Sequence, residues 1–69
     1  MSTIEITLNG EITPIPSGLT LPDLPAHLGL PAAVLLIEHN GTALRRDEWA
    51  GRPLLPGDRL EILRVAAGG

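Results

Sequence analysis

Thr3-Ile4-Glu5-Ile6-Thr7-Leu8-Asn9-Gly10 decides how the rest of the chain is read. Ile4, Ile6 and Leu8 fall on one face of an extended chain and Thr3, Glu5 and Thr7 on the other, the period-2 pattern of a half-buried strand. Asn9-Gly10 follows at once. Both residue types accept the positive φ angles of a two-residue type I′ turn, so the stretch predicts a hairpin. The returning strand runs from Glu11 to about Ile15. Pro14 and Pro16 have no N–H to give to a ladder, which places this second strand at a sheet edge.

Downstream, Ser17-Gly18 is a break, and Leu21, Leu24 and Leu28 then share one helical face. Thr20 with Asp23 resembles a capping box, and Gly29 suits a left-handed C-terminal stop. Pro22 is tolerated in a first helical turn, whereas Pro25 would crowd the Leu21 carbonyl if the helix began there. The expectation is a short helix from Pro22 or Asp23 with an irregular first turn. Val34-Leu35-Leu36-Ile37-Glu38-His39 contains four consecutive aliphatic residues, which predicts a strand covered on both faces for much of its length. Asn40-Gly41 is a second hairpin signal, with Thr42 to Arg45 as the short returning strand. Arg46 to Gly51 reads as one helical turn anchored by Trp49. Pro56-Gly57-Asp58 is turn chemistry, Asp58 closing the turn from side chain to backbone. The final strand, Arg59 to Val65, turns Leu60 and Ile62 one way and Arg59, Glu61, Leu63 and Val65 the other.

Two hairpins therefore flank one helix, and the helix is the only element able to cover a sheet face. This order predicts an α+β, ubiquitin-like β-grasp fold: a mixed sheet of four to five strands with one short helix packed on one face. The first and last strands lie side by side in the centre, and that parallel pairing requires the crossover that the helical middle supplies. Residues 1–65 form the domain and residues 66–69 a flexible diglycine tail. The chain has 69 residues, and a domain of this size buries only roughly 60% of the surface its unfolded chain exposes.

Composition narrows the function. The net charge is −3, and the five basic residues, all arginine, are scattered between residues 45 and 64. That argues against a nucleic-acid or anionic-membrane surface. Trp49 is the sole aromatic residue, so no platform exists on which bases could stack. There is no cysteine, which excludes disulfides, thiolate metal sites and a cysteine nucleophile. No apolar run approaches the roughly 20 residues of a membrane span, and Met1-Ser2-Thr3 does not open a secretory signal, so the expected compartment is the cytoplasm. His27 and His39 are not brought together by the element order, so no metal site is expected. Asp47 and Glu48 beside Arg45 and Arg46 read as a solvated turn. No catalytic triad, phosphate-binding loop or carboxylate cleft is visible, and the chain is not expected to be an enzyme.

The remaining feature is Val65-Ala66-Ala67-Gly68-Gly69. Ala66 and Ala67 carry one methyl group each, and Gly68 and Gly69 none. A stretch so thin can thread into a narrow cleft of another protein, and an unhindered Gly69 carboxyl can be activated and attacked there. Leu63 and Val65, beside Arg59 and Glu61, lead straight into it on the face the helix does not cover. These four residues are the candidate partner-docking face.

The chain resembles the ThiS-type sulfur carriers over essentially all 69 residues. The resemblance rests on Leu8-Asn9-Gly10-Glu11, Glu38-His39-Asn40-Gly41, Leu44-Arg45-Arg46-Asp47-Glu48-Trp49, Leu55-Pro56-Gly57-Asp58-Arg59-Leu60-Glu61-Ile62 and Ala67-Gly68-Gly69. The proline-rich helix departs from the longer, unbroken one usual in the family. The resemblance implies that an adenylating enzyme related to the ubiquitin activators, using ATP and Mg²⁺, acts on the Gly69 carboxylate. A sulfur donor then displaces AMP, and the resulting thiocarboxylate supplies a thiazole synthase in thiamin biosynthesis. No cofactor bound by the carrier itself is implied. Related carriers for molybdopterin, tRNA thiolation or cysteine synthesis use the same chemistry, and a ubiquitin-like modifier would use the activated carboxyl differently. Without lysine, the chain could not build lysine-linked chains on itself.

Overall fold

In the computed structural model, which describes residues 2–65, strand β1 (Thr3–Leu8) returns as β2 (Glu11–Pro16). Asn9 and Gly10 turn the chain at φ 49° and 84°, as the type I′ geometry demands. The prolines of β2 oppose Thr3 and Glu5. They alternate with the position at which the Ser17 N–H reaches the Ser2 carbonyl, 3.1 Å away. In an antiparallel ladder the alternate positions point their N–H away from the neighbour, so Pro14 and Pro16 cost β1 nothing and leave the outer edge unable to recruit another strand.

Helix α1 (Asp23–Leu28) follows. Thr20 donates to the Asp23 carboxylate through both its backbone N–H (2.9 Å) and its hydroxyl (2.8 Å), and these bonds hold the Asp23 carboxyl below its ordinary value. Because the helix starts at Asp23, Pro25 lies in the first turn, where no N–H is needed, and its ring packs into the core. Gly29 closes the helix at φ 73°. A 3-10 turn at Ala32–Val34 leads into β3 (Leu35–His39). Asn40-Gly41 returns the chain as β4 (Thr42–Leu44), and a 3-10 turn at Arg46–Glu48 precedes the buried Trp49. The Arg46 guanidinium lies 4.7 Å from the centre of the Trp49 ring. Strand β5 (Arg59–Arg64) completes a five-stranded sheet in the order β2-β1-β5-β3-β4. β5 runs parallel to β1 and antiparallel to β3. This is the ubiquitin-like β-grasp.

The core lies between one sheet face and the helical layer. Ile6, Ile15, Ile37 and Leu60 come from the sheet, Leu21 and Leu24 from the segment around α1, and Trp49 and Leu54 from the second half of the chain. The Leu21 N–H reaches the Arg52 carbonyl (2.7 Å) and the Leu54 N–H reaches the Leu19 carbonyl (3.0 Å), joining the two halves of that layer. The opposite sheet face has no covering layer among the described residues. The expectation that β3 is covered on both faces is therefore corrected. Leu35, Ile37 and His39 are buried, whereas Leu36 is 52% exposed and Glu38 points outward with it. The aliphatic run alternates because a single helix covers a single face.

β5 is held by side chains as well as by ladders. The β1·β5 pairing spans only Thr7↔Arg59 and Leu8↔Leu60. Beyond it β1 has turned away, and the Asn9 amide takes its place. Its Oδ1 accepts the Ile62 N–H (2.8 Å) and its Nδ2 donates to the Ile62 carbonyl (3.3 Å). On the other flank, Asn40 Oδ1 accepts the Arg59 N–H (2.8 Å) and Nδ2 donates to Asp58 Oδ1 (3.1 Å). Asp58 also accepts the Leu55 N–H (2.9 Å) and a ring N–H from His39 Nε2 (2.9 Å). His39 and Asp58 are both buried. His39 is the last residue of β3, and it is buried because the register gives it the core-facing parity of Leu35 and Ile37.

Burial alone would push the Asp58 carboxyl up. The hydrogen bonds from His39, Leu55 and Asn40 outweigh it and hold the group below its ordinary 3.8. A carboxyl depressed on folding adds stability in full above its unfolded value. That contribution is lost as pH falls through the lower folded value.

Two outcomes follow. Asn9→Gly keeps the turn geometry but removes both bonds to Ile62, and is expected to lower unfolding free energy by about 1–3 kcal/mol in urea titration; unchanged stability contradicts the clamp. The stability gap between the wild-type chain and Asp58→Asn is expected to hold above about pH 4 and to narrow below it, followed by urea unfolding across the pH range. A gap that stays constant into strong acid contradicts the assigned role of the carboxylate.

Candidate functional site

With Leu60 and Ile62 committed to the core, the alternation of β5 sends Arg59, Glu61 and Leu63 to the uncovered face. Leu63 is 64% exposed and Val65 is 44% exposed. An exposed leucine alone is unremarkable, but here the leucines pair. Leu63 stands directly opposite Leu36 on β3, and Glu61 directly opposite Glu38. Ala43 of β4 stands opposite Glu38 on its other side. Leu36, Glu38, Ala43, Glu61 and Leu63 line a shallow concavity of about 170 Å³.

All four predicted docking residues are exposed, at alternate positions along β5 and just past its end. Arg59 sits at the opposite end of the strand from Val65, close to the Gly41 turn: a Cβ placed on Gly41 would lie 3.8 Å from the Arg59 guanidinium. The Val65 N–H is bonded to the Val34 carbonyl at 2.8 Å, so the sheet holds the chain up to the last described residue. The predicted reactive segment, Ala66, Ala67, Gly68 and Gly69, lies outside the described residues.

Sequence reading missed Leu36, Glu38 and Ala43 as members of this face. The signal was present in β3, where Glu38 two residues after Leu36 marks the outward parity. Ala43 needed the register of the second hairpin. Among the described residues no three His, Asp or Glu side chains gather as a metal site would require, and none of the described helices is long and apolar enough to cross a membrane. What the face offers chemically is an apolar strip with two carboxylates.

No curated protein matches the chain. Among solved structures, the crystal structure of a thiamine biosynthesis protein (ThiS) from Geobacter metallireducens is similar, with 26% sequence identity and a TM-score of 0.80. The match covers 96% of this chain and 100% of that one. The sequence model of the ThiS family matches residues 4–69, from the first strand through Gly68-Gly69. A match over nearly the whole length, on the same β-grasp frame, places this chain in the ThiS family.

Proposed function

We propose that the chain is a sulfur carrier of thiamin biosynthesis whose working group is the Gly69 carboxylate. A carboxylate is a poor electrophile. A ubiquitin-activator-like enzyme joins it to AMP from Mg-ATP, releasing pyrophosphate, and so supplies a leaving group. A donor that delivers sulfide-level sulfur attacks the acyl carbon, the bond to AMP breaks and AMP departs, leaving a Gly69 thiocarboxylate that a thiazole synthase consumes. The carrier is a co-substrate in each step and performs no catalysis itself.

The observation that carries this reading is the family match through residue 69, reached from a strand whose outward face ends in Leu63 and Val65. The physical logic separates two tasks. Affinity comes from the rigid sheet face, where exposed leucines can be covered by a partner. Reactivity needs the acyl carbon within about 3–3.5 Å of the attacking atom, and Gly68 and Gly69 put no side chain in the way. ATP and Mg²⁺ belong to the activating enzyme.

Deletion of Gly69 is expected to abolish pyrophosphate exchange by the adenylating enzyme of the same source, while unfolding free energy stays within about 0.5 kcal/mol of the wild-type chain. Retained exchange contradicts the assignment of the reactive group. The double variant Leu63→Asp, Val65→Asp is expected to raise the Kd for that enzyme roughly ten-fold or more, with far-UV circular dichroism and melting temperature near wild type. Unfolding of the variant would assign the two residues to the core.

A further inference from the structure

The uncovered face places two acidic residues directly opposite each other in the sheet. Glu38 and Glu61 stand directly opposite each other on β3 and β5, with Cβ atoms about 5 Å apart as in any such pair, an arrangement that opposes folding. Among the described residues no arginine forms an ion pair with either carboxylate. Arg45 pairs with Asp47 and Glu48, Arg46 covers Trp49, and Arg52 donates to the Glu48 carbonyl. Arg59 lies toward Gly41, and Arg64, opposite Leu35, has the parity of the other face. The two carboxylates adjoin the exposed Leu36–Leu63 pair, and small Ala43 opens the concavity beside them.

We propose that this concavity receives an arginine side chain of the adenylating enzyme. Its aliphatic stem would lie along Leu36 and Leu63, and its planar guanidinium would bridge the Glu38 and Glu61 carboxylates. An arginine fits better than a lysine because its fork can serve two acceptors at once. Binding then relieves the repulsion that the free chain tolerates, and the cation fixes the lateral register of an otherwise apolar contact. This inference deepens the carrier reading and rests on it.

The test compares the wild-type chain with Glu38→Gln, Glu61→Gln and the double variant. Each is titrated into the adenylating enzyme of the same source at low and high salt, and its thermal unfolding is recorded. The expected result is a rise in Kd of roughly ten-fold or more for the double variant at low salt, loss of most of the salt dependence, and a melting temperature at or above wild type. Unchanged affinity overturns the inference, as does weaker binding accompanied by a lower melting temperature, which would mean that the glutamates serve the fold. If the wild-type chain is converted to a thiocarboxylate while the double variant binds equally well, only this inference fails. If the wild-type chain does not bind the enzyme at all, the carrier reading fails with it.

Discussion

Every other part of the molecule depends on the placement of β5 between β1 and β3. It is the central strand, and its two ladders have opposite sense. Its register sets which residues are core and which are surface. A slip of one residue would carry Leu60 and Ile62 into solvent and drive Arg59 and Glu61 into the core. The parallel ladder with β1 is too short to exclude that slip unaided. Asn9, Asn40 and Asp58 complete the specification by bonding to the backbone of β5 or to the turn just before it. The two Asn-Gly turns thus have two roles. Glycine could adopt the asparagine positions, but only an amide can adopt them and also bond across the sheet.

The small core accounts for the division of labour. An aliphatic interior with one tryptophan is closed by a single short helix, so only one sheet face can be buried. Among the described residues nothing covers the other face, which holds Leu36, Leu63 and Val65. In a monomer this is a modest apolar surface. In the proposed carrier role it provides rigid contact area for a partner. The buried His39–Asp58 pair stands at the far end of β5 from Val65 and belongs to the scaffold.

Local chemistry made most of the fold legible in the sequence. The alternation of residues 3–8, the two Asn-Gly turns, the edge prolines and the Gly29 stop each have one dominant physical reading, and the structure agrees with all of them. The parallel β1·β5 pairing followed from element order. Three features were not legible. The run from Val34 to Ile37 looked two-sided because four aliphatics in sequence hide their alternation, although Glu38 and His39 continue the two parities. The His39–Asp58 contact joins the end of β3 to the turn before β5 and depends on register, which composition does not encode. For the same reason the β5 pattern points to Leu63 and Val65 on the outward face but not to Leu36, which stands opposite Leu63. The small residues of the diglycine end suggest an accessible carboxyl, but the chemistry done on it is implied only by the family resemblance.

The most direct measurement is the intact mass of this chain after incubation with Mg-ATP, a sulfur donor and the adenylating enzyme of its own source. The account predicts exchange of one oxygen for sulfur, localised to Gly69 by fragmentation, and its loss when thiazole synthase and its sugar substrate are added. An unchanged mass in the presence of an enzyme shown to be competent would contradict it, and higher-mass conjugates to other proteins would assign the chain to protein modification instead.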